Sequence, residues 1–325
     1  DAKFTGAGDV LTGSARVEIP TGEIEIALPD TKDKLVFSTT RLALRAGASG
    51  VDATLAVPVQ DVGRVDGKVS LPGFSLGGLD GQAVRGNVAI RLANLARISN
   101  LFPDLSDITG AIDGDIDLLG TLAQPDIRGQ LAVRDVGLRV PLIGLEVSQA
   151  NLTAVSRGAA GLSVDGGALI GGGQLQISGR GVAGTQGVSI RVEIEGDKLK
   201  VADSKEYFAL VSTRLEAGFG PGGGALKGQI DIPRARIMPR TIPSGAIQPS
   251  PDVVMESSAE VKDAAPFHID VLATLGDDVS IEAFGLRGKL AGSVRATKEP
   301  NRPLLGDGQL EVVDGTYRVS IPGMG

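Results

Sequence analysis

The sequence contains no cysteine, no tryptophan and a single histidine, His268. Without cysteine there are no thiolate metal sites, no cysteine nucleophile and no disulfide framework. One histidine leaves no material for a histidine-based metal cluster or a multi-histidine acid/base site. Aromatics are scarce, with 8 Phe and 2 Tyr in 325 residues. Such side chains each bury roughly 150–250 Å² and usually anchor globular cores. Lys+Arg number 32 against Asp+Glu 39, a net charge of −7. An acidic chain with few rings lacks both the cations and the stacking surfaces that nucleic acids need. No apolar run reaches the ~18–20 residues of a membrane-spanning helix, and no secretory leader pattern stands at Asp1. The chain starts in mid-pattern without an initiator Met, as a mature product or a piece of a longer protein would.

What is abundant is aliphatic side chains in alternation, with 47 glycines between them. Val188, Ile190, Val192 and Ile194 are apolar, and Ser189, Arg191, Glu193 and Glu195 between them are polar. Successive side chains of a strand point to opposite faces, so such a segment has one dry and one wet face. Ile24, Ile26 and Leu28 repeat the pattern, as do Leu226, Ile230 and Ile232, then Leu131 with Val133, and Leu310 with Val312. The pairs Pro72-Gly73, Asp165-Gly166, Asp277-Asp278 and Asp314-Gly315 read as turns. This punctuation predicts about 15–18 short strands. One amphipathic helix is expected over 92–102, with Leu92, Leu95, Ile98 and Leu101 on a stripe and Pro103 as terminator.

An internal repeat is visible. Gly110-x-Ile112-x-Gly114-x-Ile116 precedes Gly129-Gln130-Leu131-x-Val133-x-Asp135, and Gly288-x-Leu290-x-Gly292-x-Val294 precedes Gly308-Gln309-Leu310-x-Val312-x-Asp314. A recurring strand, loop, strand unit indicates growth by addition of similar hairpins. The Pro-rich stretch 237–251 is the best candidate for a long loop. So many half-apolar strands need closure as a sandwich, barrel or solenoid, or one long curled sheet. The scarcity of aromatic anchors points toward a dry face that surrounds something flexible and apolar.

Three chemistry-bearing patterns lack their context. Residues 179–184 (GRGVAG) match a dinucleotide fingerprint, but a strand rather than a helix N-terminus follows, so the pattern reads as a turn. Residues 73–77 (GFSLG) match a nucleophile elbow without its strand-turn-helix frame, and His268 reads as an outward strand position. Asp113, Asp115 and Asp117 open like a calcium loop, yet Leu118 and Gln124 occupy the positions that require Gly and Glu. A strand with an acidic outer face and Ile112, Ile116 and Leu118 within explains them better. No catalytic residue, metal or cofactor is expected.

Several stretches together resemble the TamB family of large Gram-negative periplasmic proteins, relatives of AsmA-like lipid-transfer proteins. They are 226–240 (LKGQIDIPRARIMPR) with Ile242-Pro243 and 251–254 (PDVV), then 275–290 (LGDDVSIEAFGLRGKL) and 306–317 (GDGQLEVVDGTY). Residues 110–135 and 171–181 resemble the family's repetitive AsmA-like region. The family's aromatic-Gly-Gln stretch does not follow Tyr317, and no N-terminal anchor segment is seen. The resemblance implies an all-β, mostly antiparallel sheet curled like a taco around an apolar groove. It implies an AsmA-like region over 1–200 and the start of the family's C-terminal conserved domain over 201–325. The implied role is to carry phospholipids between inner and outer membranes, in a periplasmic segment whose parent is anchored in the inner membrane beside an Omp85-class (TamA-like) barrel. The residues expected to line the groove are Ile24, Ile26, Leu28, Ile112, Ile116, Leu131, Val133, Val188, Ile190, Val192, Ile194, Leu226, Ile230, Ile232, Leu290, Val294, Leu310 and Val312. Two other readings stand beside this one: a chaperone-like scaffold that templates outer-membrane proteins by β-augmentation, and a structural β-solenoid stalk.

Overall fold

The computed structural model describes residues 2–7, 10–27, 32–37, 39–75, 81–102, 104–184, 187–240, 266–300 and 302–318. Nineteen strands account for most of them. The first eight are β1 (Ala2–Ala7), β2 (Val10–Ile19), β3 (Gly22–Ala27), β4 (Lys32–Phe37), β5 (Thr40–Gly47), β6 (Gly50–Val59), β7 (Gly63–Pro72) and β8 (Arg85–Leu92). The middle of the chain forms β9 (Ser106–Gly120), β10 (Pro125–Val140), β11 (Leu145–Arg157), β12 (Leu162–Ile170), β13 (Gly173–Gly184) and β14 (Gly187–Asp203). The last five are β15 (Tyr207–Gly220), β16 (Gly223–Ile237), β17 (Phe267–Ala283), β18 (Leu286–Lys298) and β19 (Leu305–Tyr317).

Seventeen of these form one continuous ladder in the order β1-β2-β5-β6 and then each strand in turn to β19. The β3-β4 hairpin extends the β2-β5 hairpin. Ile19 pairs with Thr40 and, three residues on, Gly22 pairs with Phe37, so the register continues past Pro20. Among the described residues β1 and β19 each have one ladder partner, so the sheet does not close. Seventeen strands exceed the ~10 that an open twisted sheet ordinarily carries without curling, and this sheet curls.

Neighbouring strands are antiparallel throughout, with one exception. β16 and β17 run parallel, a pairing that requires a long crossover rather than a hairpin. The connection spans residues 238–266, of which 241–265, with most of the Pro-rich stretch, lie outside the described residues. Stacked parallel rungs, as in a β-solenoid, are absent from the described ladder.

Curvature has a local cause. Register shifts interrupt β10 after Arg134, β11 after Ser148, β14 after Gly196, β15 near Val211, β16 near Pro233 and β17 after Leu275. Such β-bulges bend a strand and strengthen its twist. Asp107, Asp135, Gln149, Lys198 and Asp314 have positive φ (47–54°) at or beside these shifts. Beyond the bulges, small residues meet in one cross-strand row, Ala202, Ala209, Ala235 and Val279. Val279 is 1% exposed and Leu199 3%, so the driest packing lies where the sheet bends.

The expected helix over 92–102 is corrected. Leu92 closes β8, where it pairs with Gly63, and only Leu95–Leu101 form a helix, of the tighter 3-10 type. Leu95 is buried, and the helix packs against β9. Three of the expected turns are strand interior instead. Asp277-Asp278 lies at the irregularity of β17 and Asp314-Gly315 at that of β19; at Asp314, with φ 54°, a residue that tolerates left-handed φ serves a bulge as well as a turn. Asp165-Gly166 sits inside β12. Likewise 179–184 is strand β13, not a turn. Pro72-Gly73 is a turn as expected, with Gly73 at φ 62°.

Candidate functional site

Cross-strand partners project to the same face of a sheet, so the pairing register traces which side chains share a surface. From Ile90 one row runs through Gly114, Leu131, Ala154, Val164, Gly179, Val192, Ala217 and Leu226 to Ile269. Two residues along, a second runs from Val88 through Ile116, Gly129, Ser156, Leu162, Gly181, Ile190, Phe219 and Gly224 to Phe267. On the other side of the first, a third runs from Leu92 through Ile112, Val133, Leu152, Gly166, Ile177, Ile194, Leu215 and Gly228 to Val271. These ten strands alone span about 40 Å at roughly 4.8 Å per strand.

The remaining expected residues of β14 and β16–β19 fall on the same face. Ile230 pairs with Ala273 and Ala273 with Val294; Ile232 pairs with Leu275, Leu275 with Gly292 and Gly292 with Leu310; Leu290 pairs with Val312. Val188 pairs with Ala183 one row beyond Ile190. Ile24 and Ile26 lie on β3 opposite Leu35 and Asp33, and Leu28 lies outside the described residues.

This face is apolar, and among the described residues no second protein layer lies over it. Only twelve apolar side chains of the described residues are buried, five of them alanines. Val17, Leu42, Leu55 and Phe219, all of the second row or its continuation, are 39–50% exposed. An ordinary core strand would bury such residues. Glycine recurs in the rows opposite bulky neighbours. A Cβ on Gly224 would stand 2.5 Å from Phe267 and 3.3 Å from Phe219, whose rings lie 6.1 Å apart across it. Gly179 and Gly181 likewise let Val192 and Ile190 lie over the backbone, which is the role of the glycine-rich stretch of β13.

The opposite face carries the charge. Asp113 pairs with Arg134 at 3.2 Å and Asp115 with Arg91 at 2.7 Å, so the acidic triplet of β9 is an outward strand surface. The Asp115 carboxylate raises the pKa of Arg91, chiefly through their hydrogen bond. Arg191 pairs with Glu216 and Arg295 with Asp270. His268 faces outward too, with Nδ1 3.1 Å from the Glu299 carboxylate. Among the described residues no group of His, Asp and Glu could hold a metal ion, and no helix is long and apolar enough to cross a membrane. Gly73, Phe74 and Ser75 lie in a turn and the coil after β7, while Leu76 and Gly77 fall outside the described residues.

Eight of the thirty positions in these rows are among the residues expected from alternation. Val88 with Ile90, Leu152 with Ala154, and Leu215 with Ala217 and Phe219 carry the same alternation. Their glycine partners carry none, since a glycine belongs to either face.

Residues 157–322 match the model of the TamB C-terminal domain. The chain belongs to the TamB family. The model of the TamB N-terminal domain matches residues 1–133. A curated relative, the translocation and assembly module subunit TamB of Haemophilus influenzae (strain ATCC 51907 / DSM 11121 / KW20 / Rd), is 21% identical over 276 residues. The match covers 80% of this chain and 21% of that relative, so the TamB segment described here spans about a fifth of the relative's length. No solved structure matches. This TamB chain folds as a long, apolar-faced sheet that stays open among the described strands.

Proposed function

We propose that this chain is a segment of a phospholipid conduit in the Gram-negative envelope, lying in the periplasm as part of a longer TamB protein anchored in the inner membrane. The observation that carries the reading is the uncovered apolar face, three rows wide and continuous across at least ten strands. An acyl chain leaving water gains about 0.8 kcal/mol per CH₂, so an aliphatic floor holds tails without any specific bond. Branched side chains and glycines present no polar site at which a lipid would stall, and the head group stays in water. The relative's name supplies the wider setting, a translocation and assembly module. In that setting the parent chain meets an outer-membrane barrel of the Omp85 (TamA-like) class, and no residue does chemistry.

Organic extraction of the purified protein followed by mass spectrometry tests this. Phospholipid is expected, and the double substitution Ile190→Asp, Val192→Asp should lower the recovered lipid at least fivefold with the β-sheet circular dichroism retained. Equal lipid in the folded variant would overturn the reading. A second reading draws on β19, whose 13 residues are all exposed and which has one ladder partner among the described strands. Such an edge can template another protein's strand. Native mass spectrometry separates the two, with bound lipid favouring the conduit and bound polypeptide the scaffold.

A further inference from the structure

The outer face of β2 and β5–β8 carries arginine–carboxylate pairs, Arg41 with Glu18 and Arg64 with Asp66, and beside them a cluster of cations. Along β9 to β18 outward arginines meet carboxylates across the ladder, as in Arg139 with Asp107 and Arg191 with Glu216. On β5, β7 and β8, Arg45, Lys68 and Arg85 are exposed and make no ion pair among the described residues. With Arg16 they surround a hollow of about 710 Å³ that includes one carboxylate, Asp52. Register explains the clustering: Arg45 pairs with Asp52, Asp52 with Ser70 and Ser70 with Arg85, while Lys68 pairs with Asn87 in the adjacent row. Arg45, Lys68 and Arg85 against the Asp52 carboxylate leave an excess of positive charge in this concavity, on a chain whose net charge is −7. A hollow lined by one sign of charge concentrates counter-ions of the other.

Geometry narrows the counter-ion. Arg45 and Arg85 are three strand steps apart, about 14 Å at roughly 4.8 Å per step, too far for one small anion to bridge. Guanidinium groups hold phosphate through paired N–H donors, and the Ser70 hydroxyl and Asn87 amide add neutral donors between them. Two phosphate groups, at about −1.5 to −2 each, can meet cations spread over that span; a single carboxylate reaches only one of them.

We propose that this hollow is a binding site for a ligand carrying two or more phosphate groups, held on the face opposite the apolar rows. The site stands independently of the conduit reading, since it uses other side chains on the other face.

Isothermal titration with inorganic tripolyphosphate and with orthophosphate, and flotation with phosphatidylcholine vesicles with or without a bis-phosphate lipid, test it. Tripolyphosphate should bind at least tenfold tighter than orthophosphate, and less tightly as salt rises. The triple substitution Arg45→Glu, Lys68→Glu, Arg85→Glu should weaken binding at least tenfold, with Arg157→Glu on β11 as an unaffected control. Binding to the doped vesicles alone, lost in the triple variant, also supports the site and assigns the phosphates to a lipid head group. Overturning results are no binding of either probe, equal affinity for the two phosphates, tighter binding of polyglutamate, or binding unchanged by the triple substitution. Should the triple variant fail to fold, Lys68→Gln and Arg85→Gln singly and the wild-type comparison of the two phosphates decide. Extractable lipid is measured in parallel; its persistence when phosphate binding is lost separates this site from the apolar face.

Discussion

Two hairpins of this sheet are near copies, and they live in different surroundings. In β9-β10, Leu131 pairs with Gly114, Val133 with Ile112 and Gly129 with Ile116. In β18-β19 the equivalent residues pair identically: Leu310 with Gly292, Val312 with Leu290 and Gly308 with Val294. Each copy ends at an aspartate of positive φ, Asp135 at 47° and Asp314 at 54°, beside a register shift. Yet Ala132 is 7% exposed and Leu131 half-buried, whereas Leu310 is 53% and Val312 45% exposed. The difference is a neighbour: β10 has β11 on its far side and β19 has none among the described strands. Sequence sets the register and the bulge, and the number of flanking strands sets the burial. Stability in such an array is a sum of unit and neighbour contributions, so the two copies separate these terms.

The largest effect is expected at the paired glycines Gly129 and Gly308. Gly129 has φ 138° and Gly308 φ 156°, and a Cβ would stand 2.0 Å from the Asp115 carbonyl oxygen or 2.2 Å from that of Ser293. Only glycine rests comfortably in this region. Gly129→Ala should cost about 3 kcal/mol or more, because β10 is held on both sides and cannot retreat. Gly308→Ala should cost about 1–2 kcal/mol, since the edge strand can shift outward. Amide hydrogen exchange reports each hairpin separately. Equal loss of protection in the two hairpins would show that the neighbour does not restrain the strand.

A smaller, equal effect is expected at the bulges. Left-handed φ costs a residue with a Cβ about 1 kcal/mol, less for aspartate than for alanine. Asp135→Ala and Asp314→Ala should therefore each cost about 1 kcal/mol, and the glycine substitutions should be near neutral. The Asp135 carboxylate also accepts from the Asn151 side-chain amide at 3.5 Å, so the alanine variant there should lose slightly more. Exchange rates of β10 and β19 amides check this. A cost at Asp135 several times that at Asp314 would mean that the bulge is held by its surroundings rather than by its own backbone preference.

These cases show what could be read from the chain and what could not. The alternation from Val188 to Ile194 assigns faces because the pleat has a period of two whatever the partner. The repeat fixed two hairpins because like sequences pair alike. Long-range choices were hidden. Asp277-Asp278 and Asp314-Gly315 look like turns until a facing strand makes them irregularities within a strand, and 179–184 looks like a turn until Val192 and Ile190 fill the space its glycines leave. Leu92 and Leu95 share a helical spacing, but the ladder to Gly63 claims Leu92 for β8. The cationic hollow was least legible of all. Its cations come from residues 16, 45, 68 and 85, each unremarkable in its own strand, and only a register between distant strands gathers them.

The smallest effect concerns the outward positions of the two copies. Asp113 and Arg134 form an ion pair at 3.2 Å in β9-β10; the aligned positions of β18-β19 hold Ala291 and Val313, and Val313 is 42% exposed. Transplanting the pair as Ala291→Asp, Val313→Arg should change stability by less than about 1 kcal/mol, because solvent-exposed ion pairs gain little over water. Any gain should fade as salt screens it. Its clearer consequence is colloidal. A free strand edge with an exposed Val313 invites edge-to-edge pairing, and a charge there is a common natural block. The double variant should stay monomeric to a higher concentration in light scattering while its melting temperature moves by only a few degrees at most. A large stabilisation instead would mean that the outward pair, and not the missing neighbour strand, separates the two hairpins.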